Sequence, residues 1–161
     1  MTPSFLSAFT RLLGNEGTFV DNPADPGGAT MWGVTQAVAR AWGYDGPMQD
    51  LPVQTAQAIA YSRYWEPYQL DALDPGVAFQ VFDAVYNGGY AIKWLQEAAG
   101  CTADGVIGPV TIAAANAGMP AKIIARFDAQ RLLYLADLTI WPTFGRGWAR
   151  RIANNLLAGE V

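Results

Sequence analysis

The sequence has no histidine and a single cysteine, Cys101. The first absence removes every Ser–His or Cys–His nucleophile pair and every histidine metal site. The second rules out a disulfide within the chain, and a lone thiol with no imidazole beside it is a poor nucleophile. Charge is scarce as well. Only 15% of the 161 residues are Asp, Glu, Lys or Arg, and the net charge of -4 argues against general nucleic-acid binding. No apolar run approaches the roughly 20 residues of a membrane span. The apolar positions Phe5, Leu6, Phe9, Leu12 and Leu13 are interrupted by Arg11 and follow no basic leader, so they do not read as a signal peptide. Any acid–base chemistry must rest on carboxylates, hydroxyls, Lys or Arg.

What is present is apolar and aromatic. About half the chain, 52%, is hydrophobic, and six Trp and seven Tyr are many for this length. Core packing accounts for most of them, and some can line a groove. The size suits one domain, with enough apolar surface for a real core. Charge is uneven: eleven acids and four bases lie up to residue 120, three acids and six bases beyond it. The basic C-terminal helix can face an anionic polymer or simply be a solvated face.

The periodicity predicts seven or eight helices, a mostly α fold. The first carries Phe5, Phe9, Leu12 and Leu13, capped by Thr2 or Ser4 and ended by Gly14 or Gly17. Residues 18–30 have no helical period and contain Pro23, Pro26, Gly27 and Gly28, so a loop or small β-hairpin is expected there. Thr35 caps a helix through Trp42. Asp50 and Pro52 open one through Tyr64 that stops before Pro67. Asp74-Pro75 opens another toward Tyr86, broken by Asn87-Gly88-Gly89. Helices follow at 91–99, from about Pro109 to Asn116, at 120–139 up to Trp141-Pro142, and at about 146–158. Between 100 and 109 lies a compact turn, Asp104-Gly105-Val106-Ile107-Gly108-Pro109. There is no internal repeat or long linker, so residues 1–161 read as one domain.

The stretch Asn15–Thr35 concentrates the reactive residues. Cleaving a glycosidic bond needs a proton donor and a partner across the sugar that supplies or activates a nucleophile. Glu16 lies at or just past a helix C-terminus, whose partial negative charge disfavours ionisation, and Phe19 adds desolvation in the same direction. Asp25 comes nine residues later, across a turn-rich segment, and Thr30 five beyond it, after Gly27-Gly28. A threonine hydroxyl can hold a water that Asp25 polarises. The plainer readings are a solvated acid, a turn aspartate and a helix cap. Asp21 is an alternative partner to Glu16 or a turn residue. Asn87 with Gly88 either lines a cleft or only stops a helix. Trp32, Trp65 and Tyr68 either stack on sugars or pack.

The segment Glu16-Gly17-Thr18-Phe19, then Asp25-Pro26-Gly27-Gly28-Ala29-Thr30 and Gly33-Val34-Thr35, resembles the opening motif of glycoside hydrolase family 108. Further along, Phe82-Asp83, Tyr86-Asn87-Gly88-Gly89, Trp94-Leu95-Gln96 and the turn from Asp104 to Pro109 are similar to the C-terminal half of the same proteins, a predicted peptidoglycan-binding region. Gly147-Trp148 with Arg150-Arg151 resembles their last helix. Thr18 and Phe19 stand where the family commonly has a second Gly and an aromatic after its Glu, and Met31 stands where an Asn is frequent.

The resemblance implies a lysozyme-like fold and an N-acetylmuramidase of phage endolysin type. It would cut the β-1,4 bond between N-acetylmuramic acid and N-acetylglucosamine, with about 1–90 carrying the catalytic motif and about 91–161 a peptidoglycan-binding part of the same globule. Glu16 would be the catalytic acid and Asp25 and Thr30 its partners. Trp32, Tyr86, Asn87 and Gly88 are the substrate-binding candidates. No metal or organic cofactor is implied. The expected partner is bacterial peptidoglycan, with no nucleic acid, and the expected state is a monomer. Without a signal peptide, the protein would wait in the host cytoplasm for a holin-type partner to open the way to the wall. The competing readings are a non-catalytic wall-binding module, and a chitinase or lytic transglycosylase.

Overall fold

The computed structural model describes residues 1–14, 19–21 and 28–158. Among these the chain forms eight α-helices and one three-stranded antiparallel sheet, a lysozyme-like, mostly α architecture. It divides into two compact units, Met1–Pro67 and Tyr68–Val161.

In the first unit, α1 spans Pro3–Leu13. It starts where expected: the Thr2 hydroxyl accepts the Phe5 N–H, and Pro3 fills the first turn, where its missing N–H costs nothing. Gly14 ends it. Its buried face carries Phe5, Ala8 and Phe9. The sheet follows, with β1 at Phe19–Val20, β2 at Thr30–Met31 and β3 at Val34–Thr35. Phe19 opposes Met31 and Val20 opposes Thr30, while Thr30 opposes Thr35 and Met31 opposes Val34. The hairpin thus reaches five residues past the expected end at 30.

Helix α2 spans Gln36–Trp42, capped by the Thr35 hydroxyl on the Val38 N–H. Helix α3 spans Val53–Ala60 and runs on as one π-helical turn over Tyr61–Trp65. Asp50 does not cap it. It ends a separate 3-10 turn, Met48–Asp50, and Pro52 is the residue before the helix. Phe5 is the hub of this unit, with ring centroids 5.0 Å from Tyr61 and 5.5 Å from Trp65, both near perpendicular. Trp65 is fully buried, so the core reading of that residue is right and sugar stacking is excluded.

In the second unit, α4 spans Pro75–Asn87, capped by Asp74 Oδ1 on the N–H groups of Gly76 (2.9 Å) and Val77 (3.3 Å). Every residue from Val77 to Ala84 is buried, which makes α4 the central helix of its unit. It packs on α5 (Ala91–Ala99) and α7 (Pro120–Ala136), with α6 (Pro109–Ala117) against α5 and α8 (Trp141–Ala158) against α7. Two boundaries differ from the sequence reading. α7 ends at Ala136, and Trp141-Pro142 opens α8 instead of closing α7. A proline tolerates the first turn of a helix as readily as the segment beyond its end, so Pro142 fits either role. No helix among the described residues is long and apolar enough to cross a membrane.

Candidate active site

Of the residues singled out in the N-terminal motif, Glu16 and Asp25 lie outside the described residues. Asp21 and Thr30 lie within them. Asp21 follows β1 and is exposed. Thr30 sits in the middle strand of the sheet, half-buried, between Val20 and Thr35. Successive strand residues face opposite ways, so Thr30 is on the face away from buried Met31.

Directly after Met31, Trp32 and Gly33 form the β2–β3 turn with φ of 53° and 74°. Positive φ at both central residues matches the twist of a two-residue hairpin. Gly33 adopts it freely, whereas a bulky residue such as Trp32 pays roughly 1–2 kcal/mol for the left-handed conformation. The Trp32 indole N–H donates to the Leu51 carbonyl at 2.9 Å, which offsets that strain and anchors the ring to the unit's core segment. Trp32 is therefore held in one orientation, half-buried, close in the chain to Thr30.

Tyr86, Asn87 and Gly88 close α4 in the second unit. Asn87 Nδ2 donates back to the Asp83 carbonyl at 2.7 Å, which finishes the last turn of the helix, while the side chain stays exposed. This is the helix-stop role in atomic detail. Tyr86 is half-buried, its ring 5.7 Å from Phe82. Gly88 is exposed, at φ 88°. Among the described residues, no three Cys, Asp or Glu side chains gather closely enough to hold a metal ion.

The family model described as glycosyl hydrolase 108 matches residues 9–89, and one described as a predicted peptidoglycan domain matches residues 90–153. The chain belongs to the glycosyl hydrolase 108 family. A solved structure of Brucella abortus SagA is similar over nearly the whole length, at 34% identity and a TM-score of 0.83, covering 97% of this chain and 93% of that one. No curated protein matches the chain. Family membership makes it a glycoside hydrolase, and the two matches together support peptidoglycan as what it acts on. The hydrolase match spans Glu16, Asp25 and Thr30 in sequence.

Sequence reasoning passed over the polar centre of the second unit. Asp83 is 1% exposed, yet it receives Arg131 at 2.6 Å from α7 and Arg151 at 2.8 Å from α8. Asp128, also 1% exposed, belongs to the same cluster. Arg131 and Arg151 are therefore engaged by Asp83, and of the six bases beyond residue 120 the other four, Lys122, Arg126, Arg146 and Arg150, are exposed. The available signal was Asp83 itself, a carboxylate in the apolar stretch from Val77 to Val85, whose one other polar residue is Gln80. Its partners lie 48 and 68 residues away, beyond the reach of local spacing.

Proposed function

We propose that the chain is an N-acetylmuramidase of phage endolysin type, hydrolysing the β-1,4 link between N-acetylmuramic acid and N-acetylglucosamine. Glu16 gives its proton to the leaving oxygen. Asp25 and Thr30 hold and polarise the water that takes the leaving group's place. The observation that carries this reading is the family match over residues 9–89, which spans all three in their order. The anchored Trp32, two residues along the chain from Thr30, supports it, since a site works best on groups whose orientation is already fixed. In the same reading the protein is a monomer held in the host cytoplasm until a holin-type partner admits it to the wall.

The test is loss of turbidity of outer-membrane-permeabilised Gram-negative cells. The parent protein clears the suspension, and Glu16→Gln, which keeps the shape and removes the proton, slows clearing by at least about a hundredfold. Equal clearing by the variant would refute the assignment of Glu16. Mass spectrometry of the released fragments gives reducing muramic-acid ends. Anhydro-muramyl ends would show transglycosylation instead.

A further inference from the structure

A pocket of about 260 Å³ opens between α5 and α7. Tyr90, Lys93, Trp94 and Glu97 line it from the α5 side, Gln130 and Tyr134 from α7. It lies wholly within the second unit, away in sequence from the catalytic motif. Trp94, only 5% exposed, is its floor. Tyr90 and Tyr134 meet at 81° with centroids 5.3 Å apart, and form an aromatic corner over that floor. Gly89 is what allows this floor. It has φ 118°, and a β-carbon there would come 2.4 Å from the Trp94 ring.

The charged groups are placed as well as the rings. The Lys93 stem lies against Gly105, where a β-carbon would sit 3.3 Å from Lys93 Cε. Gly105 is itself pinned, since its N–H donates to Gln96 Oε1 at 2.8 Å. The Lys93 ammonium is 5.8 Å from the Tyr90 ring centroid. Glu97 follows one helical turn later on the same side of α5. Among the described residues the ion pairs are those of Asp83, so Lys93 and Glu97 are not paired with each other. Lysine preceding glutamate at this spacing is the less favourable order for a helix pair. The pocket thus presents an ammonium and a carboxylate about a turn apart, both exposed, beside apolar ring surface and the Gln130 amide.

We infer that this pocket binds the stem peptide of peptidoglycan through a terminal diamino acid. A stem carboxylate pairs with Lys93, a free stem amine pairs with Glu97, and the connecting methylenes lie against Tyr90 and Tyr134. A glycan alone carries no ammonium to match Glu97, so charge complementarity selects the peptide arm. The volume suits one residue of that size, not an extended chain. This inference rests on peptidoglycan being the substrate, and is independent of which group donates the proton.

The experiment is an amide and indole NMR titration of the full chain with a synthetic stem tripeptide ending in a diamino acid, and separately with chitotriose. The tripeptide shifts Tyr90, Lys93, Trp94 and Tyr134. Lys93→Met, which keeps the stem on Gly105, and Glu97→Gln each weaken its binding by about tenfold with unchanged thermal midpoints. The inference is overturned if the tripeptide leaves these signals in place. It is also overturned if chitotriose moves them equally, or if neither variant alters the affinity. Cell clearing by the parent protein separates the two failures. Clearing with a silent pocket sinks only this inference, whereas absence of clearing removes the peptidoglycan reading beneath it.

Discussion

Asp83 and Asp128 occupy one buried cluster with opposite consequences. Asp83 is fully engaged, with Arg131 on Oδ2 and Arg151 on Oδ1. Removing one partner of such a group strands a buried charge, so Asp83→Asn should cost about 3–5 kcal/mol in urea unfolding. Arg151→Met should cost less, because that side chain is 38% exposed and water replaces part of what is lost. Asp128 has no hydrogen-bond partner on either carboxylate oxygen among the described residues. Burial pushes its pKa up to about 7, opposed by Arg131 and reinforced by Asp83. The folded chain therefore holds a proton that the unfolded chain releases near its ordinary value of 3.8. Stability from this group is present below that value and is lost as pH rises toward 7. Asp128→Asn should flatten this dependence and be more stable than the parent by about 1–3 kcal/mol at pH 8, with little difference at pH 4. Urea titrations of both proteins at the two pH values check it. An equal parent-to-variant gap at pH 4 and pH 8 would contradict the assignment.

At the level of elements, what is local was legible and what is not local was not. Thr2, Thr35 and Asp74 announce the starts of α1, α2 and α4 because a cap bonds to N–H groups two or three residues away. Pro142 misled because its backbone restriction suits an entry and an exit alike. Asp104-Gly105 marks the turn between α5 and α6 in the sequence, but the clamp on that turn comes from α5 and has no local signature. Gln96, 1% exposed in α5, places its amide nitrogen 2.7 Å from Asp104 Oδ1 and 3.0 Å from Thr111 Oγ1, while its oxygen takes the Gly105 N–H. The Asp104 carboxyl is held below its ordinary pKa first by the Val106 N–H, then by Gln96. Gln96→Leu keeps the bulk and strands these partners. It should lower the urea midpoint, chiefly through buried Thr111, and the Asp104 carboxyl, followed by NMR, should titrate closer to 3.8 than in the parent. An unmoved titration would show that Gln96 does not hold the turn.

At the scale of the whole molecule, the sequence motif and the packing divide the chain at different places. Glu16, Asp25 and Thr30 stand out by residue type, but their spacing also suits a solvated acid, a turn aspartate and a helix cap, and it is the resemblance to the family's opening motif that singles them out as catalytic candidates. Asp83 is visible as a carboxylate in an apolar stretch, but its partners are not, since only the fold brings α7 and α8 to it. The family matches meet between residues 89 and 90, whereas the compact units meet between Pro67 and Tyr68. The difference is α4, which lies in the hydrolase match but forms the core of the second unit with Val77, Phe79, Val81 and Phe82. A fragment starting at residue 90 loses those side chains and leaves Arg131 buried without Asp83. Each large apolar residue contributes about 1.5–3 kcal/mol when fully buried, and a domain of this size has only about 5–15 kcal/mol in total. The fragment 90–161 should therefore be unfolded or molten. The fragment 68–161, which retains α4 and its Asp74 cap, should give dispersed amide signals and a cooperative melt. If 90–161 melted as cooperatively as 68–161, α4 would not be the centre of that core.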